Sequence, residues 1–273
     1  MVASPRALYN ENNSDAANRL RDLTSRGLIA DGDVAECSII DLKASDIRGY
    51  NQFHAFAGIG GWSLGLRLAG IPDTAQAWTA SLPCQQFSIA SVNPNTAAKG
   101  QADERHLLPD FIRLVEECNP AVIFGEQVPN AIKWGWLDEA FGALENLDYA
   151  CGAIVAPALS VGARHERKRL YWVANSRGAR RQGHQQIERL PFAASQALAK
   201  YGNPLAGASR PLDGDFSDLL PCGGISVVLE RAALKGYGNA IVPQLAAEVI
   251  GAFLDAEAEQ AAAPALLNPP LPY

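Results

Sequence analysis

No apolar run in the chain approaches the roughly 20 residues that a membrane-spanning helix needs. The opening residues, M-V-A-S-P-R, have no apolar stretch behind them, so no secretory leader is expected and the chain reads as cytoplasmic. Cysteine is sparse and irregularly placed. Cys37, Cys84, Cys118, Cys151 and Cys222 make an odd count without a C-x-x-C pair. That excludes a disulfide framework and a C-x-x-C metal site, and it suits a reducing compartment. An excess of positive charge is missing too: the net charge is −6, which argues against a non-specific nucleic-acid coat protein. There are no internal repeats. What remains is a chain of 273 residues, 48% hydrophobic, long enough for one large α/β domain or a main domain with a small second lobe.

The charge is unevenly spread. Residues 161–190 hold Arg164, Arg167, Lys168, Arg169, Arg177, Arg180, Arg181 and Arg189 against Glu166 and Glu188 alone, a local excess of six positive charges. Such a stretch is either a solvated loop or a face turned towards a polyanion. Apolar spacing predicts helices over 14–27, 62–69, 104–118, 137–144 and 243–256. It predicts strands over 37–42, 53–57, 75–82, 121–124, 150–156 and 169–174. Strands alternating with helices give a mainly parallel α/β sheet with helices on both faces. Residues 88–103 read as a long polar loop. The alternation is lost over 176–222, which reads as a small irregular lobe. The chain then divides into an N-terminal helix and strand on the sheet edge (1–50), a main α/β domain (51–175), a small lobe (176–222), a return of the chain to the main domain (223–257) and a disordered tail (258–273).

Three short stretches carry chemistry. Phe56-Ala57-Gly58-Ile59-Gly60-Gly61 follows a strand and opens a helix. Its spacing is not the dinucleotide fingerprint G-x-G-x-x-G. It is either a plain tight turn or a turn whose free N–H groups face a nucleotide-like cofactor, with Phe56 against an adenine ring. Cys84, directly after Pro83 at a strand's carboxyl end, is either a nucleophile or a small packing residue. Glu126 ends the next strand after A-V-I-F-G, either capping a helix or, kept protonated, donating to a ring nitrogen. Arg167 and Arg169 alternate at a strand start and so point to one side, as surface ion pairs or into the same cleft.

Together these residues resemble the DNA (cytosine-5)-methyltransferases. Phe56 to Gly61 is similar to their F-A-G-x-G-G motif, and Pro83-Cys84-Gln85 with Phe87-Ser88 to P-C-Q-x-F-S. Glu126-Gln127-Val128 resembles E-N-V, and His165 to Arg169 resembles Q-x-R-x-R. Gly238-Asn239-Ala240-Ile241-Val242-Pro243 resembles G-N-A-V-x-P. The short form is most like members encoded by phages and prophages. The resemblance implies a Rossmann-like, S-adenosylmethionine-dependent methyltransferase sheet and a cytosine flipped out of double-stranded DNA. In that chemistry Cys84 adds to ring carbon C6, Glu126 serves N3, Arg169 holds O2 and Arg167 orients Glu126. C5 takes the methyl group, and Cys84 leaves. Phe56, Gly58, Ile59, Gly60, Gly61, Trp62, Pro83, Asn239 and Ile241 would line the S-adenosyl-L-methionine site, with no metal. The loop 88–103 would close over the base, and the basic region would read base edges. A monomer is expected, with a cognate restriction endonuclease as partner. An RNA cytosine-5 methyltransferase and a catalytically silent DNA-binding protein are the alternatives. A thiol hydrolase pairing Cys84 with His54 or His106 gives the glycine turn no role.

The chain departs from the family pattern at His165, at Gln127, and between Gly61 and Pro83, where only 21 residues stand. One βαβ crossover fits there, and two do not. The sheet is therefore expected to be shortened at one edge. The acid that would face the cofactor ribose is expected from the N-terminal segment, at Glu36 or Asp41, or failing these from Asp73.

Overall fold

A computed structural model describes residues 6–83, 107–163, 166–176 and 241–262. The loop expected over 88–103, Cys84, His106, the region 177–240 with Asn239, and residues 263–273 lie outside the described residues. Seven strands form one sheet. They are β1 (Ala7–Asn10), β2 (Gly32–Ala35), β3 (Gln52–Ala55), β4 (Ala77–Ala80), β5 (Val122–Gln127), β6 (Tyr149–Pro157) and β7 (Lys168–Ser176). Their order is β2-β1-β3-β4-β5-β7-β6. The first five run parallel, and β7 is antiparallel to both β5 and β6. The fold class is thus the mainly parallel α/β sheet expected.

Helices cover both faces. On one side lie α1 (Ser14–Ser25), α3 (Gly61–Leu68) and α6 (Pro243–Ala262), around Leu20, Trp62, Leu66, Phe124, Tyr171, Leu245 and Ile250. On the other lie α2 (Ala44–Ile47), α4 (Leu108–Cys118) and α5 (Trp136–Asn146), around Phe53, Trp78, Phe111, Leu114, Leu144 and Trp172. The cause is local in each case. Helix α4 starts with Pro109 in its first turn, where no N–H is needed, and stops at Asn119 in the left-handed region at φ 48°. No helix among the described residues is long and apolar enough to cross a membrane.

The expected strand at 37–42 is not there: Ile39–Asp41 form a 3₁₀ turn begun by Ser38, whose side chain accepts from the Ile40 N–H. The N-terminal segment instead supplies two strands, β1 and β2, joined by α1. They extend the sheet beyond β3, so the shortening expected at that edge is made up. The final helix also runs further than the pattern showed, to Ala262, so residues 258–262 are not a tail.

At the centre of the sheet a polar set sits on the α1/α3 face. His54 Nδ1 lies 2.8 Å from Thr79 Oγ1 and Nε2 lies 3.2 Å from Gln52 Oε1. The ring stacks on Tyr9 at 4.8 Å. Tyr9 in turn donates to the Ala30 carbonyl at 2.7 Å and meets Ser63 of α3. Burial pushes the His54 imidazole down to about 3, so it is neutral and structural. This leaves the hydrolase reading without His54 as a base. The unfolded chain takes up a proton below its ordinary pKa of about 6.5 that the folded chain refuses until about 3. Stability from this group is complete above that window and falls with acidification by up to about 1.4 kcal/mol per pH unit. Denaturation midpoints measured from pH 7 to 4 should therefore drop more steeply for the parent than for His54→Asn. Equal slopes would contradict this assignment.

Candidate active site

Parallel strands bring chain ends to one edge, and the expected residues among those described lie at the carboxyl edge of this sheet. The turn after β3 places Phe56 at φ 53°, Gly58 at φ 56° and Gly60 at φ 80°. A side chain on Gly58 would meet nothing within 4 Å, so this backbone faces open space where a ligand can approach. Gly61 is different: a Cβ there would collide with Ile241, which packs against the first turn of α3. Ile241 therefore belongs with the glycine turn although it is far away in sequence. Trp62 is buried, and its Nε1–H donates to Ser81 Oγ at 3.0 Å. Gln127 donates to the Leu82 carbonyl at 3.1 Å. The two residues that lead into Pro83-Cys84 are thus held from both sides. Ile59 and Pro83 are half-buried at the same edge.

The second cluster is at β5 and β7. Glu126 and Tyr171 are direct partners across the antiparallel pair, and alternation puts Arg169 on their face. Arg169 Nε lies 2.7 Å from Glu126 Oε1. The contact is an ion pair rather than an aligned hydrogen bond, for Oε1 lacks a well-directed donor. Burial raises the Glu126 carboxyl above its ordinary range, and the Arg169 and Arg167 guanidiniums oppose that rise. Burial, with Arg169 beside it, pulls Arg167 down from its ordinary value. The acid and both arginines are therefore brought together. The guanidinium paired with Glu126 Oε1 is that of Arg169, and Arg167 acts on the acid through its charge. Lys168, between them, pairs with Glu166 at 2.7 Å on the exposed side. Gly125, just before Glu126, cannot carry a Cβ, because the Trp172 ring of β7 lies across it. That contact fixes β5 against β7.

Of the acids expected to face a cofactor ribose, Glu36 directly follows β2 at the carboxyl edge. Glu36 is bound by Ser14 and Arg21, which hold its carboxyl below the ordinary range. Asp41 is exposed in the 3₁₀ turn. Asp73 is engaged by Arg67 at 2.9 and 2.7 Å. Sequence reasoning missed Glu11, which directly follows β1. Its Oε2 accepts from the Gly58 N–H at 2.8 Å, and its Oε1 from the Asn13 N–H at 2.9 Å. The only sequence signal was an acid ending the short run A-L-Y-N. The residues present fit a nucleoside cofactor: an open glycine turn, the N-terminus of α3 and one carboxylate at the rim.

Comparison with known proteins finds partial likenesses. Residues 70–203 match the model of the C-5 cytosine-specific DNA methylases. The match starts after α3 and leaves β1, β2 and β3 outside it. The chain is 27% identical over 175 residues to the type II methyltransferase M.HhaI of Haemophilus parahaemolyticus, covering 50% of this chain and 52% of that one. It is 29% identical over 103 residues to the type II methyltransferase M.CviJI of Paramecium bursaria Chlorella virus IL3A, covering 38% of this chain and 27% of the relative. The chain thus spans about half the length of the first relative and about a quarter of the second. Among solved structures, a DNA modification methyltransferase encoded within an E. coli prophage gives TM-score 0.39 at 18% identity, covering 65% of this chain and 48% of that one. Spodoptera frugiperda DNMT2 gives TM-score 0.40 at 14% identity, covering 70% and 56%. Both overlaps are too loose to carry an argument.

Proposed function

We propose that this chain, a relative of the C-5 cytosine-specific DNA methylases through residues 70–203, is a DNA (cytosine-5)-methyltransferase that uses S-adenosyl-L-methionine and forms a covalent adduct through Cys84. The observation that carries the reading is the buried Glu126 with its raised carboxyl, set against Arg169 at the same sheet edge as the glycine turn. A cytosine ring is a poor nucleophile at C5. It becomes a better one when a thiolate adds to C6 and a proton donor or hydrogen bond stabilises N3.

Each residue then has a task on the extruded base. Cys84, at the end of the stem held by Trp62 and Gln127, adds to C6. Glu126, keeping its proton more readily than an ordinary carboxyl, serves N3. Arg169 turns from Glu126 to the base oxygen O2, and Arg167 stays as the second charge beside the acid. Removal of the C5 proton and departure of Cys84 restore the ring. The bound cofactor supplies an electrophilic methyl group to C5. Phe56, Gly58, Ile59, Gly60, Gly61, Trp62, Pro83, Asn239 and Ile241 would hold that cofactor, joined by Glu11 rather than by Glu36 or Asp41. The region 176–222 would recognise the target in double-stranded DNA. The gap between Gly61 and Pro83 had motivated the catalytically silent alternative. With β1 and β2 occupying the edge, that motive falls away.

The test is incubation with methyl-labelled S-adenosylmethionine and duplex DNA or tRNA side by side, with bisulfite mapping of the product. Label on cytosine C5 in DNA supports the reading; label confined to the tRNA, or none on either, overturns it. A companion prediction concerns Glu11. Glu11→Ala should weaken equilibrium binding of the cofactor about tenfold or more, as expected for a lost charged hydrogen bond. Glu36→Ala should leave it unchanged. The reverse result would return the ribose-facing role to Glu36.

A further inference from the structure

The β5–β7 pair contains a polar atom that the chemistry above does not use. Tyr171 is buried, 1% exposed, directly opposite Glu126. Its ring stands edge-on to Trp62 at 6.1 Å. Its hydroxyl, like Glu126 Oε1, has no hydrogen-bond partner among the described residues. A buried hydroxyl left unpaired is unfavourable, and one kept beside a site acid is explained where another state of the site satisfies it. Directly opposed side chains on one face have Cβ atoms about 5 Å apart, within reach of one another's ends after a small rotation.

The resting structure also shows why a second partner is needed. Arg169 is the cation in contact with Glu126. Resting on the functional reading above, Arg169 must leave that contact to reach O2 of an extruded cytosine. Oε1 would then lose its contact with that guanidinium. The charged groups acting on Glu126 are Arg169 of β7 and Arg167, which directly precedes that strand. The α3 and α6 side of the sheet offers apolar side chains there, among them Trp62 and Phe253. Tyr171, directly opposite Glu126, carries an unpartnered hydroxyl on that face.

We propose that Tyr171 is a positioning residue, whose hydroxyl donates to Glu126 Oε1 when Arg169 turns to the base, so that the other carboxyl oxygen presents its proton to N3. Loss of the Arg169 contact removes the influence that opposes protonation, and Tyr171 then sets the orientation. The entry of the base thereby arms the acid: one movement of Arg169 both grips O2 and lets Glu126 hold its proton. The effect of Glu126 on the Tyr171 phenol, which together with burial is raised well above its ordinary range, agrees with the two groups sharing one pocket.

Tyr171→Phe tests it. The ring and its packing on Trp62 are kept, and only the hydroxyl is lost. The expected result is a kcat about tenfold lower, with KM for DNA and for cofactor within about twofold. The alkaline limb of the kcat profile should also move. A hydrogen bond donated to a carboxyl favours its ionised form, so removing the donor raises the Glu126 pKa. Activity that needs the protonated acid then persists to higher pH. A variant with the parental kcat and the parental limb overturns the proposal. So does one whose kcat falls with an unmoved limb and a lowered melting temperature, which would make Tyr171 merely structural. If the parent transfers no methyl group to DNA, the functional reading fails and this inference fails with it. A methylating parent beside an unaffected variant sinks this inference alone.

Discussion

Cys84→Ala is expected to reduce methyl transfer to the assay floor, a loss of about 10⁴-fold or more, and to leave cofactor affinity within about twofold. The size follows from the chemistry. Without a nucleophile at C6 the cytosine ring never becomes electron-rich at C5, and neither alignment nor the arginines can substitute. Cofactor binding is spared because the glycine turn and Glu11 stand on other strands, with the Glu11–Gly58 hydrogen bond at 2.8 Å independent of residue 84. The stem before Cys84 is fixed by Trp62 on Ser81 and by Gln127 on the Leu82 carbonyl, so alanine should not disturb it. Initial rates with labelled cofactor, beside equilibrium binding of the same cofactor, separate the two effects. A Cys84→Ala protein that still methylates at a measurable fraction of the parental rate would remove the thiol from the mechanism.

Glu126→Gln is expected to lower kcat by about 10²- to 10⁴-fold, the usual range for loss of a positioned acid. Its stability should move the other way. Burial raises the folded-state pKa of Glu126 despite Arg169 and Arg167. A raised carboxyl binds its proton more tightly in the folded chain than in the unfolded one. Its contribution is therefore full below the ordinary carboxylate pKa and is lost as pH rises through the folded value. Above the folded value the buried carboxylate is a burden on the fold that glutamine does not impose. Glu126→Gln should melt at or above the parental temperature at pH 8 and lose that advantage near pH 4. A variant that is slow because it is unstable at pH 8 would refute the claim that this carboxyl is held for chemistry rather than for packing. Acids kept in an environment that disfavours their charge are a common mark of catalytic sites.

What the sequence disclosed and what it concealed divide along physical lines. Local chemistry was readable. The glycines after β3 answer to an open approach at Gly58 and to a helix start at Gly60, and the run A-V-I-F-G-E-Q is buried through its whole strand. Alternation alone put Arg167 and Arg169 on one side, and the β5–β7 register keeps Arg169 beside Glu126. Non-local pairing was not readable. A-L-Y-N and G-D-V-A are strands of four residues with no clear period, and only their neighbours make them strands. Their place beyond β3 reverses the order in which a reader of the chain expects the sheet to be filled. Glu11 was hidden for that reason: it becomes a partner of Gly58 only once β1 lies beside β3. The hold of Trp62 on Ser81 and the fit of Ile241 against Gly61 likewise join distant residues through packing. Tyr171 looked like one more apolar residue in R-L-Y-W-V-A, since nothing local shows that its hydroxyl would be buried opposite an acid.

The most direct measurement is covalent capture. A duplex whose target cytosine carries fluorine at C5 has no proton there to release, so an adduct formed through C6 cannot resolve after methylation. Incubated with this DNA and S-adenosylmethionine, the protein should gain the mass of one oligonucleotide strand plus a methyl group. Peptide mapping should place the linkage on Cys84, and Cys84→Ala should show no gain. A cofactor-binding protein that forms no adduct with DNA carrying its mapped target, or one linked through Cys37, Cys118, Cys151 or Cys222, would contradict the account.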